Sequence, residues 1–208
     1  MNQELFTLSG RHVRLEPLEA RHVEPLAAAA SNAGDLYRWT VVPQGVAKMT
    51  KYVDTAIGWR QEGVAVPFAT VRQADGAVIG STRFFDIERF PWPENHERHG
   101  RLHPDVCEIG YTWLEPSSIR TPANTEAKLL MLTHAFEGWG VLRVCLHTDE
   151  RNERSRAAIE RIGARFEGIL RAHRMASDFI ARNSARYSIV ASEWPEAKRR
   201  LAARLENR

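Results

Sequence analysis

From His12 to Leu18 the chain reads HVRLEPL, with apolar and polar residues alternating as they do along a half-buried strand. EARHVEPLAAAASN changes to helical spacing and stops near Gly34, and AKMTKYVDTAIGWRQEG continues it with Met49, Tyr52, Val53 and Ile57 before ending at Gly63. VPFATVRQ and AVIGSTRFFDI then predict two strands joined by ADGA, in which Asp75-Gly76 is a hairpin turn signal. After a loop rich in Pro, His and Trp comes a strand, DVCEIGYTWL. A turn holding Pro122 leads to an apolar helix over Thr125 to Gly138, then to the strand LRVCLHT. NERSRAAIERIG predicts a second helix closing at Gly163. The strands ARFEGILRAH and ARYSIVA follow, and then a terminal helix with Pro195 in its first turn.

The order β, α, α, β, β, β, α, β, α, β, β, α combines antiparallel hairpins with one central β-α-β-α stretch. It predicts an α+β domain: a mixed, mostly antiparallel sheet with helices on its faces, rather than a doubly wound sheet or a sandwich. No linker or repeat divides the 208 residues, so a single domain over 1–208 is expected, with its core at about 10–192 and the last helix at 195–206. A right-handed crossover sets DVCEIGYTWL beside LRVCLHT and puts the start of the intervening helix at the first strand's carboxyl end. There its backbone N–H groups and dipole can meet an anion. Thr121 before Pro122 and Thr125 are alternative caps for that helix, and capping alone accounts for either.

Composition changes this picture little. Hydrophobic residues make up 43% and charged residues 26%, and Lys plus Arg exceed Asp plus Glu by only 29 to 26. So small an excess argues against a nucleic-acid partner, and the Arg-rich stretch from Arg143 to Arg182 reads first as a solvated face or an anion site. Cys107 and Cys145 lie in apolar strands, where free buried thiols suit a reducing cytoplasm. No apolar run approaches a membrane span.

The element order, EIGYTWL, the turn after it, and TDERNERSRAAIERIGARFEGILR together resemble the GCN5-related N-acetyltransferase (GNAT) superfamily, in its RimJ/RimL-like branch. The resemblance covers roughly Gly10 to Leu201. It implies a GNAT fold in which acetyl-CoA lies in a cleft between two splayed parallel strands, and a cytoplasmic acyltransferase moving acetyl to a primary amine. The acceptor is either a protein N-terminal α-amine or a small molecule.

In the family a Gln/Arg-x-x-Gly-x-Gly/Ala loop wraps the coenzyme A diphosphate. Here the loop is Arg120, Thr121, Pro122, Ala123, Asn124 and Thr125, with Ala and Thr at the small positions and the φ of Pro122 in place of glycine freedom. Lys128, one turn on, is a candidate phosphate contact or a snorkelling surface lysine. Main-chain groups around Trp113 and Leu114 correspond to those that hold pantetheine and the acetyl oxygen. Asn152 and Ser155 match the positions near the pantetheine arm and the thiol, though either also suits a helix cap. Ile159 stands where many members carry a tyrosine acid.

Aminolysis of a thioester needs a neutral amine, so a carboxylate acting directly or through water helps as base or amine ligand. Glu108, the glutamate of the family's E-[IVL]-G-Y strand, is the candidate, with Ser155 as a donor to the leaving thiolate and Tyr111 orienting substrate. The alternative for Glu108 is a surface or sheet-edge charge. The replaced glycines and Ile159 also fit a catalytically degenerate module that keeps the fold. No metal is expected: His96, His99 and His103 fall in a proline-rich loop without ligands in register. That loop is a candidate substrate lip or subunit contact, compatible with a homodimer. His134, inside the apolar helix, is expected to be a satisfied core or edge histidine.

Overall fold

The computed structural model describes residues 5–31, 33–176 and 178–206. Eight strands form one sheet in the order β1-β2-β3-β4-β5-β6-β8-β7. They are β1 (Leu8–Ser9), β2 (Val13–Pro17), β3 (Ala65–Arg72), β4 (Val78–Glu88), β5 (Val106–Leu114), β6 (Arg143–Asp149), β7 (Arg165–Met175) and β8 (Ala181–Val190). Every neighbouring pair is antiparallel except β5 with β6. Five α-helices join them: α1 (Val23–Ala29), α2 (Val46–Gln61), α3 (Ala123–Thr133), α4 (Glu153–Arg161) and α5 (Trp194–Glu206).

The expected mixed α+β architecture is what the chain adopts. Only the two-residue β1 is added to the expected order, because it is too short to show a period. Alternation along β3 explains why both faces are covered: Phe68 enters a core with Phe84, Met131, Leu132 and Ile189, while Ala69 enters another with Leu26, Met49 and Val53. The first core lies under α3 and α5, the second under α1 and α2. A sheet buried on both sides reads as a nearly continuous apolar run, and β3 is buried from Ala65 to Val71.

Two chain reversals match their sequence signals. Gly76 has φ 72° in the β3–β4 hairpin, and Gly63 has φ 77° just past α2. The apolar helix after the turn is less regular than its sequence suggests. Past Thr133 it widens into a π segment, His134–Trp139, ended by Gly140 in a left-handed conformation. His134 is corrected here: its ring stacks on Phe6 at 4.2 Å, but its buried Nε2 has no hydrogen-bond partner among the described residues.

The loop 89–104 is tied to the body of the protein. The buried Asp105 carboxylate accepts from the Phe90 N–H, Trp92 Nε1 and Arg98 Nη1, at 2.8, 2.9 and 3.2 Å. Arg98 and Arg101 also donate to the carbonyls of Gly140 and Trp139. The His96 ring stacks on Trp92 and His99 Nδ1 meets the Trp92 carbonyl. Among the described residues no group of three or more His, Cys, Asp or Glu could hold a metal ion, and no helix is long and apolar enough to cross a membrane.

Candidate active site

The parallel pair β5 and β6 is joined for three positions only, Val106↔Arg143, Cys107↔Val144 and Glu108↔Cys145. Beyond Glu108 the strands part, although β5 continues to Leu114 and β6 to Asp149. A bulge in β5 accompanies the parting. Tyr111 has φ 51°, and the register with β4 shifts between Ser81 and Arg83. A bulge bends its strand and increases its twist, turning the end of β5 away from β6.

The backbone groups facing this gap follow from the ladder. The Glu115 N–H donates to the Ile79 carbonyl at 2.7 Å, and the register pairs Gly80 with Leu114 and Ser81 with Trp113. Antiparallel pairs alternate between bonded and non-bonded. Trp113 therefore pairs with Ser81, while the N–H and C=O of Leu114 point away from β4. The expectation for this strand is corrected accordingly: Leu114, not Trp113, turns its main chain to the gap. The Trp113 ring is buried and packs edge-on against Tyr37. Tyr37 donates its hydroxyl to the Leu114 carbonyl at 2.8 Å, and burial with nearby Glu115 pushes its pKa up to about 12.

At the end of β5 the chain turns into α3. Arg120 adopts φ 65°, so a non-glycine residue takes the left-handed position, while Pro122 has φ −60°. The Thr121 hydroxyl donates to the Ser118 carbonyl and accepts from the Ala123 N–H at 3.3 Å, so Thr121, one residue before the N-cap Pro122, and not Thr125 satisfies the first amide of α3. The first helical bond runs from the Glu126 N–H to the Pro122 carbonyl. The N–H groups of Asn124 and Thr125 have no partner among the described residues. Two unpartnered amides at a helix start can meet an anion.

Glu126 follows in the same helical turn. Its buried carboxylate accepts the N–H groups of Arg11, His12 and Val13 at 2.8, 2.6 and 2.7 Å. Lys128 is a correction. It neither snorkels nor reaches the loop, but is 5% exposed with Nζ at 2.6 Å from Thr112 Oγ1 and 3.2 Å from Thr82 Oγ1. Burial without a carboxylate partner lowers its pKa to about 7.

Glu108 lies at the fork itself and is only 4% exposed, so it is neither a surface nor a sheet-edge charge. Its Oε2 is 2.7 Å from His147 Nδ1, in a close contact off the line of an ideal hydrogen bond, and 3.7 Å from Arg174 Nη2. Arg174 also reaches Asp86 at 2.9 Å. The His173 ring is 5.1 Å from His147, and burial, then the Arg174 charge, lowers its pKa. Behind the fork Arg83 is 1% exposed, its guanidinium 4.2, 4.8 and 5.3 Å from the rings of Tyr111, Tyr52 and Trp59. Its Nε and Nη2 have no hydrogen-bond partner among the described residues.

On β6's continuation, Asn152 caps α4 by accepting the Ser155 N–H at 3.0 Å. This cap uses Oδ1 only and does not involve the Asn152 Nδ2 hydrogens. Ser155 is half-buried in the first turn, and Ile159 is buried in the core. A wide recess of about 600 Å³ between β1, α3 and α5 lies along the flank of α3, with none of these groups in its walls.

Residues 12–165 match the family described as acetyltransferase (GNAT) domain. The chain belongs to the GNAT family. A GCN5-related N-acetyltransferase from Brucella melitensis is 31% identical, with 98% of this chain and 86% of that one covered and a TM-score of 0.82. A T. thermophilus protein assigned as an acetyltransferase is 33% identical over 99% of this chain and all of that one, TM-score 0.78. Mycobacterium smegmatis RimJ, in complex with CoA-disulfide, shares the fold at 21% identity, with 96% and 91% covered and a TM-score of 0.73. No curated protein matches the sequence.

Three residues around the fork, His147, Arg174 and Arg83, are not among the candidates from the sequence. His147 does carry a signal. With Glu108 level with Cys145 across the parallel pair, His147 lies two residues further on the same face. Arg174 and Arg83 carry none, since bulges in β4, β5 and β7 decide what they meet.

Proposed function

We propose that this GNAT protein transfers the acetyl group of acetyl-CoA to a primary amine, by direct attack while both substrates are bound. One observation carries the reading: the parallel strands part beyond Glu108, and the chain leaving β5 turns into α3, whose first-turn amides at Asn124 and Thr125 have no partner among the described residues. These amides, together with Arg120, fit a diphosphate, and the Leu114 N–H fits an amide or thioester oxygen along the gap. The CoA-disulfide held by RimJ supports the same donor. Bound there, acetyl-CoA supplies an activated acyl group on a thiol leaving group.

The chain's own residues supply the rest. Glu108 takes a proton from the acceptor ammonium, leaving the nitrogen lone pair free to attack. The nitrogen–carbon bond forms as the carbon–sulfur bond breaks, and the second proton leaves the nitrogen to end on the departing sulfur as a thiol. His147, 2.7 Å from the carboxylate, helps hold it at the fork. Ser155 donates to the departing thiolate, since Ile159 offers no hydroxyl. A thiol pKa of roughly 8.5 keeps the demand for an acid small.

Calorimetry with coenzyme A and thiol release with a panel of amines test this reading. Binding with thiol release and an N-acetylated product is expected. Binding without turnover on any amine would leave a coenzyme A-binding module, the reading favoured by Ile159. No binding at all would remove both.

A further inference from the structure

Three strands bend at non-glycine residues with left-handed backbone: Asp86 in β4, Tyr111 in β5 and Ala172 in β7, at φ 45°, 51° and 48°. Each lies within a register shift of its ladder. Such conformations are strained and persist where the surroundings enforce them. The three bends converge on one cavity of about 400 Å³. Asp86 and Tyr111 line it, and the bend at Ala172 swings Arg174 across to β4, where it completes the wall. This volume is at the small end of the roughly 300–1,000 Å³ typical of ligand sites.

The cavity adjoins Glu108. A single atom, Arg174 Nη2, is 2.9 Å from Asp86 in the wall and 3.7 Å from Glu108 Oε2. Phe85, another wall residue, is level with Glu108 in the β4–β5 ladder. An amine placed against Glu108 therefore has this cavity within a short chain's reach.

The lining chemistry is aromatic and aliphatic: Trp59, Val64, Phe85, Ile87 and Tyr111. Half-buried Arg174 pairs with exposed Asp86 in the wall and lies over the Phe85 ring at 5.2 Å, so those two charges offset each other. Exposed Glu88 completes the lining. A cationic substituent gains little here. The Arg83 guanidinium already packs on Trp59 and Tyr111, and a ring satisfied by one cation attracts a second weakly.

We propose that this cavity receives the substituent of the acceptor, and that the acceptor is a primary amine carrying a neutral apolar group, aromatic or branched aliphatic. The inference rests on the transferase reading above. The amine comes either from a free arylalkylamine or from a peptide whose first side chain is large and apolar.

The test is thiol release from acetyl-CoA with five acceptors: phenethylamine, 3-methylbutylamine, a Phe-initiated peptide, the same peptide initiated by Ser, and spermidine. The apolar acceptors are expected to exceed Ser-peptide and spermidine in kcat/KM by about tenfold or more, the scale on which a hydrophobic pocket discriminates. Preference for the free amines or for the Phe-peptide tells which source is used. Val64 lines the cavity from the surface at 47% exposed, so Val64→Arg obstructs it without touching the core. That variant, with its melting transition unchanged, is expected to remove most of the apolar preference, as a change in the ratio between acceptors. Equal or better turnover with Ser-peptide or spermidine overturns the inference, and so does an unaltered ratio in Val64→Arg. Coenzyme A binding with no turnover on any of the five overturns the transferase reading itself, and the inference falls with it.

Discussion

His147 Nδ1 lies 2.7 Å from Glu108 Oε2, with both side chains nearly out of water, at the point where β5 and β6 separate. A carboxylate held out of bulk solvent needs a partner, and this one has an imidazole and, at 3.7 Å, the guanidinium of Arg174. The pair sits where the two strands stop sharing hydrogen bonds, so both groups can face a substrate without leaving the sheet.

Removing the charge of Glu108 while keeping its shape isolates its chemistry. Glu108→Gln is expected to lower kcat by about 10²-fold or more, the usual scale for a positioned base. Affinity for coenzyme A, measured by calorimetry, is expected to change little, because Glu108 lies at the fork and the unpartnered amides lie in the first turn of α3. A parallel loss of coenzyme A affinity would assign Glu108 to structure instead. His147→Gln is expected to show a smaller fall in kcat of the same kind.

At the α3 start, binding and stability should respond with opposite signs. An acid in the first turn of a helix stabilises it by roughly 0.3–1 kcal/mol through the dipole. Thr125→Asp is therefore expected to hold or raise the melting temperature. The same charge beside a diphosphate repels it, and a tenfold or greater weakening of coenzyme A binding, about 1.4 kcal/mol, is expected. Unchanged affinity in this variant would mean that the amides of Asn124 and Thr125 do not hold the donor.

Glu126 has a different task, one residue further along the helix. Its carboxylate takes three main-chain N–H groups from the β1–β2 turn, joining the N-terminal strands to α3. Glu126→Ala strands those donors in a largely buried place, at a cost on the order of 3 kcal/mol or more. Denaturant unfolding measures it, and a shift in midpoint with an unchanged slope is expected.

The hairpin at Asp75-Gly76, the apolar period of α2 and the proline turn were legible because each is local, written within a dozen residues. So was the position of Glu108 on its strand. Its burial was not, because covering that face takes β7, far away in sequence and brought to β4 only by the bend at Ala172. Non-glycine residues carry all three bends, so no glycine marked them. The left-handed backbone at Arg120 was likewise unmarked within an otherwise legible turn, since a non-glycine residue takes the place of a glycine there. Arg83 reads as an outward charge on an alternating strand until three aromatic rings from α2 and β5 close over it.

Lys128 was legible as a helical lysine but not as a buried one, and its burial has a thermodynamic consequence. Its pKa falls from 10.5 to about 7 because burial disfavours the ammonium, which finds only two hydroxyls. Below pH 7 the folded state carries the full cost of that charge, on the order of 5 kcal/mol from the gap between the folded and unfolded pKa values. Between pH 7 and 10.5 the unfolded chain binds the proton more readily than the folded one, so this contribution makes stability rise with pH. Above about 10.5 both states are neutral and the cost vanishes. Lys128→Met keeps the volume and removes the charge, while Thr82 and Thr112 still bond to each other at 2.8 Å. The variant is therefore expected to be more stable than the parent at pH 6, with the advantage shrinking steadily toward pH 10 in denaturant titrations. Coenzyme A affinity should persist, since the ammonium is directed at the two threonines and not at the turn. An advantage independent of pH would show that the ammonium is solvated in the native state, and lost affinity would return Lys128 to the phosphate corner.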